Sequence, residues 1–161
     1  MTTKTYLALG TNLGDKKLNL NKAVDEIKKR IGRVTQLSAF YSSKPWGFES
    51  NNDFINAVVC VETKLAVREL LNTTQQIEKD LGRQSKSSNH TYSDRLIDID
   101  ILFYGTQSIE EQDLVIPHPH ICERDFVLVP LQEIASDFVH PTLHKTIAEL
   151  IKRKHTLDKL K

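Results

Sequence analysis

Apolar and polar positions fall into blocks along the chain, and most blocks have a readable period. Thr5 to Gly10 alternates, as a half-buried strand does, and Gly10-Thr11-Asn12-Leu13-Gly14-Asp15 is a turn cluster. Leu20, Ala23, Val24, Ile27 and Ile31 recur at helical spacing, with Gly32 as the stop signal. Val34 to Tyr41 reads as a second strand, and Ser42 to Asn52 as a loop holding Pro45, Trp46, Gly47 and Phe48. Phe54 to Thr63 reads as a third strand. Val67, Leu70, Leu71, Ile77 and Leu81 predict a helix over Ala66 to Leu81, closed by Gly82. Arg83 to Asp94 is polar without a period and predicts a mobile loop. A fourth strand covers Arg95 to Tyr104, and Gly105 opens a turn. Leu114 to Pro117 is a short extended piece, Phe126 to Ile134 a short helix or irregular core segment, and Thr146 to Arg153 a last helix. The main order, β-α-β-β-α-β, predicts an α+β class and a ferredoxin-like core. Its antiparallel sheet is expected to be flanked by helices in a three-layer α/β/α arrangement.

The fourth strand breaks its own pattern. In Leu96-Ile97-Asp98-Ile99-Asp100-Ile101-Leu102-Phe103 the two aspartates share one strand face between Leu96 and Leu102. Ile97, Ile99, Ile101 and Phe103 form an apolar stripe on the other. Same-face positions lie about 6.5–7 Å apart. Two carboxylates at that distance repel by roughly 2.4 kcal/mol at an effective dielectric of about 20. A cation between them, or a proton kept by one of them for acid–base work, accounts for the pair. Asn56 is a second interruption, inside Phe54-Ile55-Asn56-Ala57-Val58-Val59, on the face of Phe54. An inward amide must be satisfied, and a flat heteroaromatic ring stacked on Phe54 would offer it complementary edges.

Composition narrows the choices. A length of 161 residues with 39% hydrophobic content supports one domain over 1–161 with a real core, and 27% charged residues argue against disorder. A net charge of +1 gives no global field for nucleic acid or a membrane surface, so an anionic ligand needs a local cluster. Cys60 reads as a buried small hydrophobe, and the two cysteines lack metal spacing. No signal peptide or membrane-length apolar run is visible, and the expected location is cytoplasmic.

Carboxylate pairs suit Mg²⁺, which takes one or two carboxylates plus substrate phosphates. Arg83, Lys86 and Arg95 precede the pair, and His118 and Arg124 follow it in a segment stiffened by Pro117 and Pro119. Arginines on two carboxylates would make a magnesium–polyphosphate site. From the residues alone, a metal-dependent phosphodiesterase or nuclease and a glycoside hydrolase stay open. So does a binding module whose aspartates only pair with Arg95 and Arg124.

Four stretches together carry a resemblance. They are Ala8-Leu9-Gly10-Thr11-Asn12-Leu13-Gly14; Phe40-Tyr41 with Pro45-Trp46-Gly47; Asp53-Phe54-Ile55-Asn56-Ala57; and Arg95 to Phe103 with Pro117-His118, Pro130-Leu131 and Glu133-Ile134-Ala135. In this order they span nearly the whole chain, which resembles the 6-hydroxymethyl-7,8-dihydropterin pyrophosphokinase family of folate biosynthesis. The resemblance implies transfer of pyrophosphate from ATP to the pterin hydroxymethyl group, with release of AMP. It implies that Asp98 and Asp100 hold two Mg²⁺ ions on ATP, with Arg83 and Arg95 joining them in catalysis. Glu78, Lys86, Tyr92, His118 and Arg124 fall on the ATP side. Phe54 and Phe126 match the aromatics that sandwich the pterin, Asn56 its hydrogen-bonding partner, and Ser43, Lys44 and Trp46 the loop that closes its pocket. Ser85 stands where many members carry a second arginine, and Tyr92 where many carry a tryptophan. ATP and the pterin are then the partners, with no nucleic acid or membrane, and the chain is expected to be a monomer. ATP binding is expected to order the loop from Arg83 to Asp94.

Overall fold

A computed structural model of the chain describes residues 1–43, 53–82, 96–151 and 158–160. It is a mixed α/β structure built on an antiparallel sheet. The strands are β1 (Thr3–Thr11), β2 (Gly32–Leu37), β3 (Tyr41–Ser43), β4 (Phe54–Thr63) and β5 (Asp98–Tyr104). The hairpin strands β6 (Ile109–Glu111) and β7 (Leu114–Ile116) follow, and β8 (Asp158–Lys159) comes last. The helices are α1 (Lys16–Arg30), α2 (Val67–Asp80), α3 (Asp125–Ala135) and α4 (Ile147–Leu150), and Ile121–Glu123 forms a 3₁₀ turn. The main sheet runs β5-β1-β4-β3-β8, and β2 also pairs with β4.

Local chemistry explains most boundaries. Asp15 caps α1 by accepting from Leu18 N at 3.2 Å, and Leu20, Ala23, Val24 and Ile27 give the helix its buried stripe. Glu69 caps α2 by accepting from Ala66 N at 3.1 Å. Gly82, at φ +118°, ends that helix in a conformation that only glycine adopts cheaply. Gly32 has a different use from the helix stop that the pattern suggests. A Cβ there would stand 2.0 Å from the Glu62 carbonyl oxygen, so β2 needs glycine to approach β4.

The central strand β4 is covered on both faces. Ala57, Val59 and Val61 face α1 and α2 together with Leu7, Leu9, Ile99 and Ile101. Val58 and Cys60 face α3 and α4 together with Tyr6, Ala8, Leu102 and Phe103. Cys60 is buried, as its setting suggested.

Several irregularities depart from the sequence pattern, among them a register shift between Val34 and Gln36 in β2, and two bear on the site. In β5 the register steps from Tyr6↔Phe103 to Leu7↔Ile101, leaving Leu102 as the extra residue of a bulge. Phe103 therefore leaves the isoleucine stripe and packs toward α3, 4.7 Å from the Phe138 ring centroid, while Tyr104 takes its place among Ile97, Ile99 and Ile101. Thr5 Oγ1 donates to the bulged strand at Phe103 O, 2.6 Å away. The second departure is the split of the expected strand from Val34 to Tyr41 into β2 and β3. Leu37 pairs with Val59 and Tyr41 with Asn56, so residues 38–40 stand against only 57 and 58.

Candidate active site

β5 brings the two aspartates onto the α3 face of the sheet, since Asp100 pairs with Ala8 and Asp98 with Gly10. Those two neighbours are small, so the adjacent strand contributes no bulky side chain beside the carboxylates. Both aspartates are half-buried, and the Asp100 side chain keeps 34% of its exposure, enough for a ligand to reach it. Arg124, buried at the N-terminus of α3, points Nη1 at Asp100 Oδ2 from 3.8 Å. That is an ion pair too long to be a hydrogen bond. The Arg124 guanidinium also lies 5.5 Å from the centre of the Phe126 ring.

His118 belongs to the same cluster. Burial, then the charges of Arg124 and His120, push its pKa down to about 4, against the pull of Asp98. The ring is neutral at pH 7. Its Nδ1 accepts from His120 N at 3.2 Å, so the proton sits on Nε2 and that nitrogen is a donor.

The second group is built on β3 and β4. Asn56 is buried, and its Nδ2 donates to Ser43 Oγ at 2.7 Å and to Tyr41 O at 3.4 Å. A carbonyl only accepts, so this fixes the amide orientation. Oδ1 then lies beside Gly10, 3.2 Å from where a Cβ would stand, and Phe54 Cδ1 is 3.6 Å from the same point. Gly10 registers with Asn56 on one side and Asp98 on the other, so the two groups meet across one backbone position.

Glu78 is placed differently. It is buried on α2, and its Oε2 accepts from Ile99 N at 2.8 Å, between the two aspartates along β5. Lys44, Trp46, Arg83, Lys86, Tyr92 and Arg95 lie outside the described residues, as does the loop from Arg83 to Asp94. Three further residues touch these groups or the strands that carry them, without having been singled out as site residues. Gly10 looked like a turn residue but lies inside β1, where its missing side chain matters. Tyr41 and Glu133 tie β3 to α3, with Tyr41 OH donating to Glu133 Oε1 at 2.5 Å. Burial, then that hydrogen bond, push the Tyr41 pKa up to about 12. A cavity of about 420 Å³ beside Leu128, Leu143, Lys145 and Leu150 is separate from all these groups.

The donor set suits magnesium. No group of three or more His, Cys, Asp or Glu side chains among the described residues could hold a metal alone. Two accessible carboxylates would hold a hard cation whose remaining ligands are water and phosphate oxygens.

The family model described as 7,8-dihydro-6-hydroxymethylpterin-pyrophosphokinase (HPPK) matches residues 6–136. The chain belongs to this family. A relative from Porphyromonas gingivalis, the 2-amino-4-hydroxy-6-hydroxymethyldihydropteridine pyrophosphokinase, is 44% identical over 137 residues, covering 84% of this chain and 92% of its own. The Aquifex aeolicus protein of the same name is 37% identical, covering 94% and 92%. A folic acid synthesis protein of Dictyostelium discoideum is 43% identical over 88% of this chain, which spans only 21% of that longer protein. Among solved structures, the Plasmodium falciparum HPPK-DHPS protein with pteroate superposes at a TM-score of 0.77 and 18% identity. That match covers 93% of this chain and 44% of the larger one, and it bears on the fold.

Proposed function

We propose that the α3 face of the sheet, around Asp98, Asp100 and Asn56, is where this family member carries out its reaction. The reaction transfers a pyrophosphoryl group from ATP to the hydroxymethyl group of 6-hydroxymethyl-7,8-dihydropterin, giving the pterin diphosphate and AMP in folate biosynthesis. The observation that carries the assignment is the row Asn56, Gly10, Asp98 across adjacent strands. Neighbouring strands lie about 4.8 Å apart, so an amide suited to a pterin edge stands roughly 10 Å from a carboxylate suited to magnesium–ATP. That spacing lets a hydroxymethyl group on the ring reach a phosphate held by the aspartates.

Phosphoryl transfer asks a protein mainly for positioning and electrostatic stabilisation. Asp98 and Asp100 would hold magnesium; when bound, the ion supplies positive charge to the phosphate oxygens and the leaving group. Arg124 offers a planar guanidinium to a phosphate oxygen. Neutral His118 offers an Nε2–H without adding a charge. On the pterin side, Asn56 Oδ1 accepts from a ring N–H, Ser43 holds that amide in place, and Phe54 and Phe126 supply apolar walls. Glu78 acts on the ATP side by holding the strand that carries both aspartates. Arg83, Arg95, Lys86 and Tyr92 for ATP, and Lys44 and Trp46 for the pterin, enter by resemblance, as does a second magnesium ion.

We also read the sheet order and the placement of α1 and α2 opposite α3 and α4 as a ferredoxin-like, three-layer fold, with 1–161 as one catalytic unit. We place it in the cytoplasm as a monomer that needs neither nucleic acid nor membrane. Its balanced charge and the absence of a membrane-length apolar helix among the described residues support this. The test is direct. With ATP, Mg²⁺ and the hydroxymethyl pterin the protein should release AMP, and D98A and D100A should each lower turnover by at least about a thousandfold while keeping the fold. Release of ADP, or full activity in either variant, would reject the assignment.

A further inference from the structure

We propose that Glu133, near the C-terminal end of α3, is a positioning residue for pterin recognition, acting on Asn56 through β3. The proposal rests on the pterin site assigned above. Its starting point is the bulge between β2 and β3, where residues 38–40 stand against 57 and 58. β3 has only three residues, and its outer neighbour β8 only two, so these short ladders hold its register weakly. A slip of one residue would turn every side chain of the strand to the opposite face.

Two side chains hold the bulge, beside Leu160 N, which donates to Phe40 O at 2.8 Å. Ser38 grips β4, with Ser38 N donating to Val58 O and Val58 N donating to Ser38 Oγ, both at 2.9 Å. Glu133 grips the chain from the helix side with both carboxylate oxygens. Oε2 accepts from Ala39 N at 2.9 Å and Oε1 from Tyr41 OH at 2.5 Å. The two donors flank Phe40, so one side chain sets both the path of the bulge and the start of β3. Hydrogen bonds to an ionised acceptor are stronger than neutral ones.

The consequence reaches the pterin edge. Tyr41 O and Ser43 Oγ are the acceptors that occupy Asn56 Nδ2. With β3 in this register, the amide presents Oδ1 beside Gly10, as an acceptor. Without it, Asn56 loses the contacts that fix its orientation, and the amide can turn a donor to the ligand instead. Glu133 also shares a helix face with Phe126, seven residues or about 10.5 Å earlier along α3. The same helix therefore sets the distance between the Phe126 wall and the Asn56 wall.

The test uses steady-state kinetics on the full chain with magnesium–ATP and the hydroxymethyl pterin. E133A should raise the KM for the pterin about tenfold or more, the loss of one or two charged hydrogen bonds. The KM for ATP should stay within about twofold. E133Q keeps an acceptor for Ala39 N and a polar partner for Tyr41 OH, and should restore most of the pterin KM. Y41F, which loses one of the two contacts, should fall between E133A and the unchanged protein. N56A is the control for the site itself. An unchanged pterin KM in N56A overturns the pterin site. A raised KM in N56A with unchanged values in E133A and Y41F overturns the role of Glu133 alone. A parallel rise in both substrates' KM values would mean a general loss of structure and would also overturn it. Should E133A fail to fold, Y41F decides by the same criteria.

Discussion

At neutral pH the site holds one uncharged histidine among opposite charges, and that balance can be titrated. The folded pKa of His118, about 4, lies below its ordinary 6.5. Between those values the unfolded chain binds more protons. The stability that the neutral ring contributes is therefore complete above pH 6.5 and is lost as pH falls toward 4. In metal-free protein the loss should reach up to about 3 kcal/mol. Urea denaturation at pH 4.5 and 7.5 should show this slope, and H118N should flatten it. The two aspartates, equal in the sequence, also part company here. Asp100 faces the buried Arg124, whereas Asp98 pairs across the ladder with Gly10 and its charge acts on His118. Without magnesium, D98N should cost less thermal stability than D100N, because it relieves like-charge repulsion while leaving the Arg124 pair in place. D100N should lose roughly 1–2 kcal/mol, less than a close buried pair would, because the pair is long and part-exposed. Equal melting temperatures for the two variants would contradict that division.

At the scale of elements, the strands with a clean period were legible and the bulges were not. Alternation counts parity, and one extra residue at Leu102 reverses parity without any mark in composition. This is why Phe103 was expected beside Ile101 and is found against Phe138. The aspartates and Asn56 stood out because each interrupts an apolar run, and a polar residue in such a frame requires a reason. Tyr41 and Glu133 interrupt no such run, although both fall in the stretches that carry the family resemblance. Each is ordinary within its own stretch, and the contact that gives them meaning spans 92 positions. Gly32 shows a related limit, since a glycine after a helix reads as a stop signal whatever lies across from it. G32A should cost roughly 2–4 kcal/mol, because the new methyl group must push β2 off the Glu62 carbonyl. Chemical denaturation measures it, and a loss below about 0.5 kcal/mol, the range of neutral surface changes, would refute the close-approach account.

Across the whole molecule, the sheet separates two kinds of packing. Among the described residues, its α1/α2 face is packed mainly by aliphatic side chains, while on the α3 face the apolar cluster takes in Leu102 and Phe103 but not the aspartates. Ligand binding at the aspartates should therefore stabilise the entire fold through that face. At a hundred times its dissociation constant, magnesium–ATP should add about 2.7 kcal/mol, which for a chain of this length is a rise in Tm of roughly 5–10 °C. D98A and D100A should lose that rise, and retaining it would detach the aspartates from nucleotide binding. A last consequence concerns neighbours rather than substrates. β5 ends the sheet on one side, and the outer edge of such a strand invites another chain to add itself. Glu78 already occupies the Ile99 N–H on that edge, so this backbone donor is not offered to an incoming strand. The side chain that holds the strand between its two aspartates thus also takes up one of the backbone donors on the outer edge of the sheet.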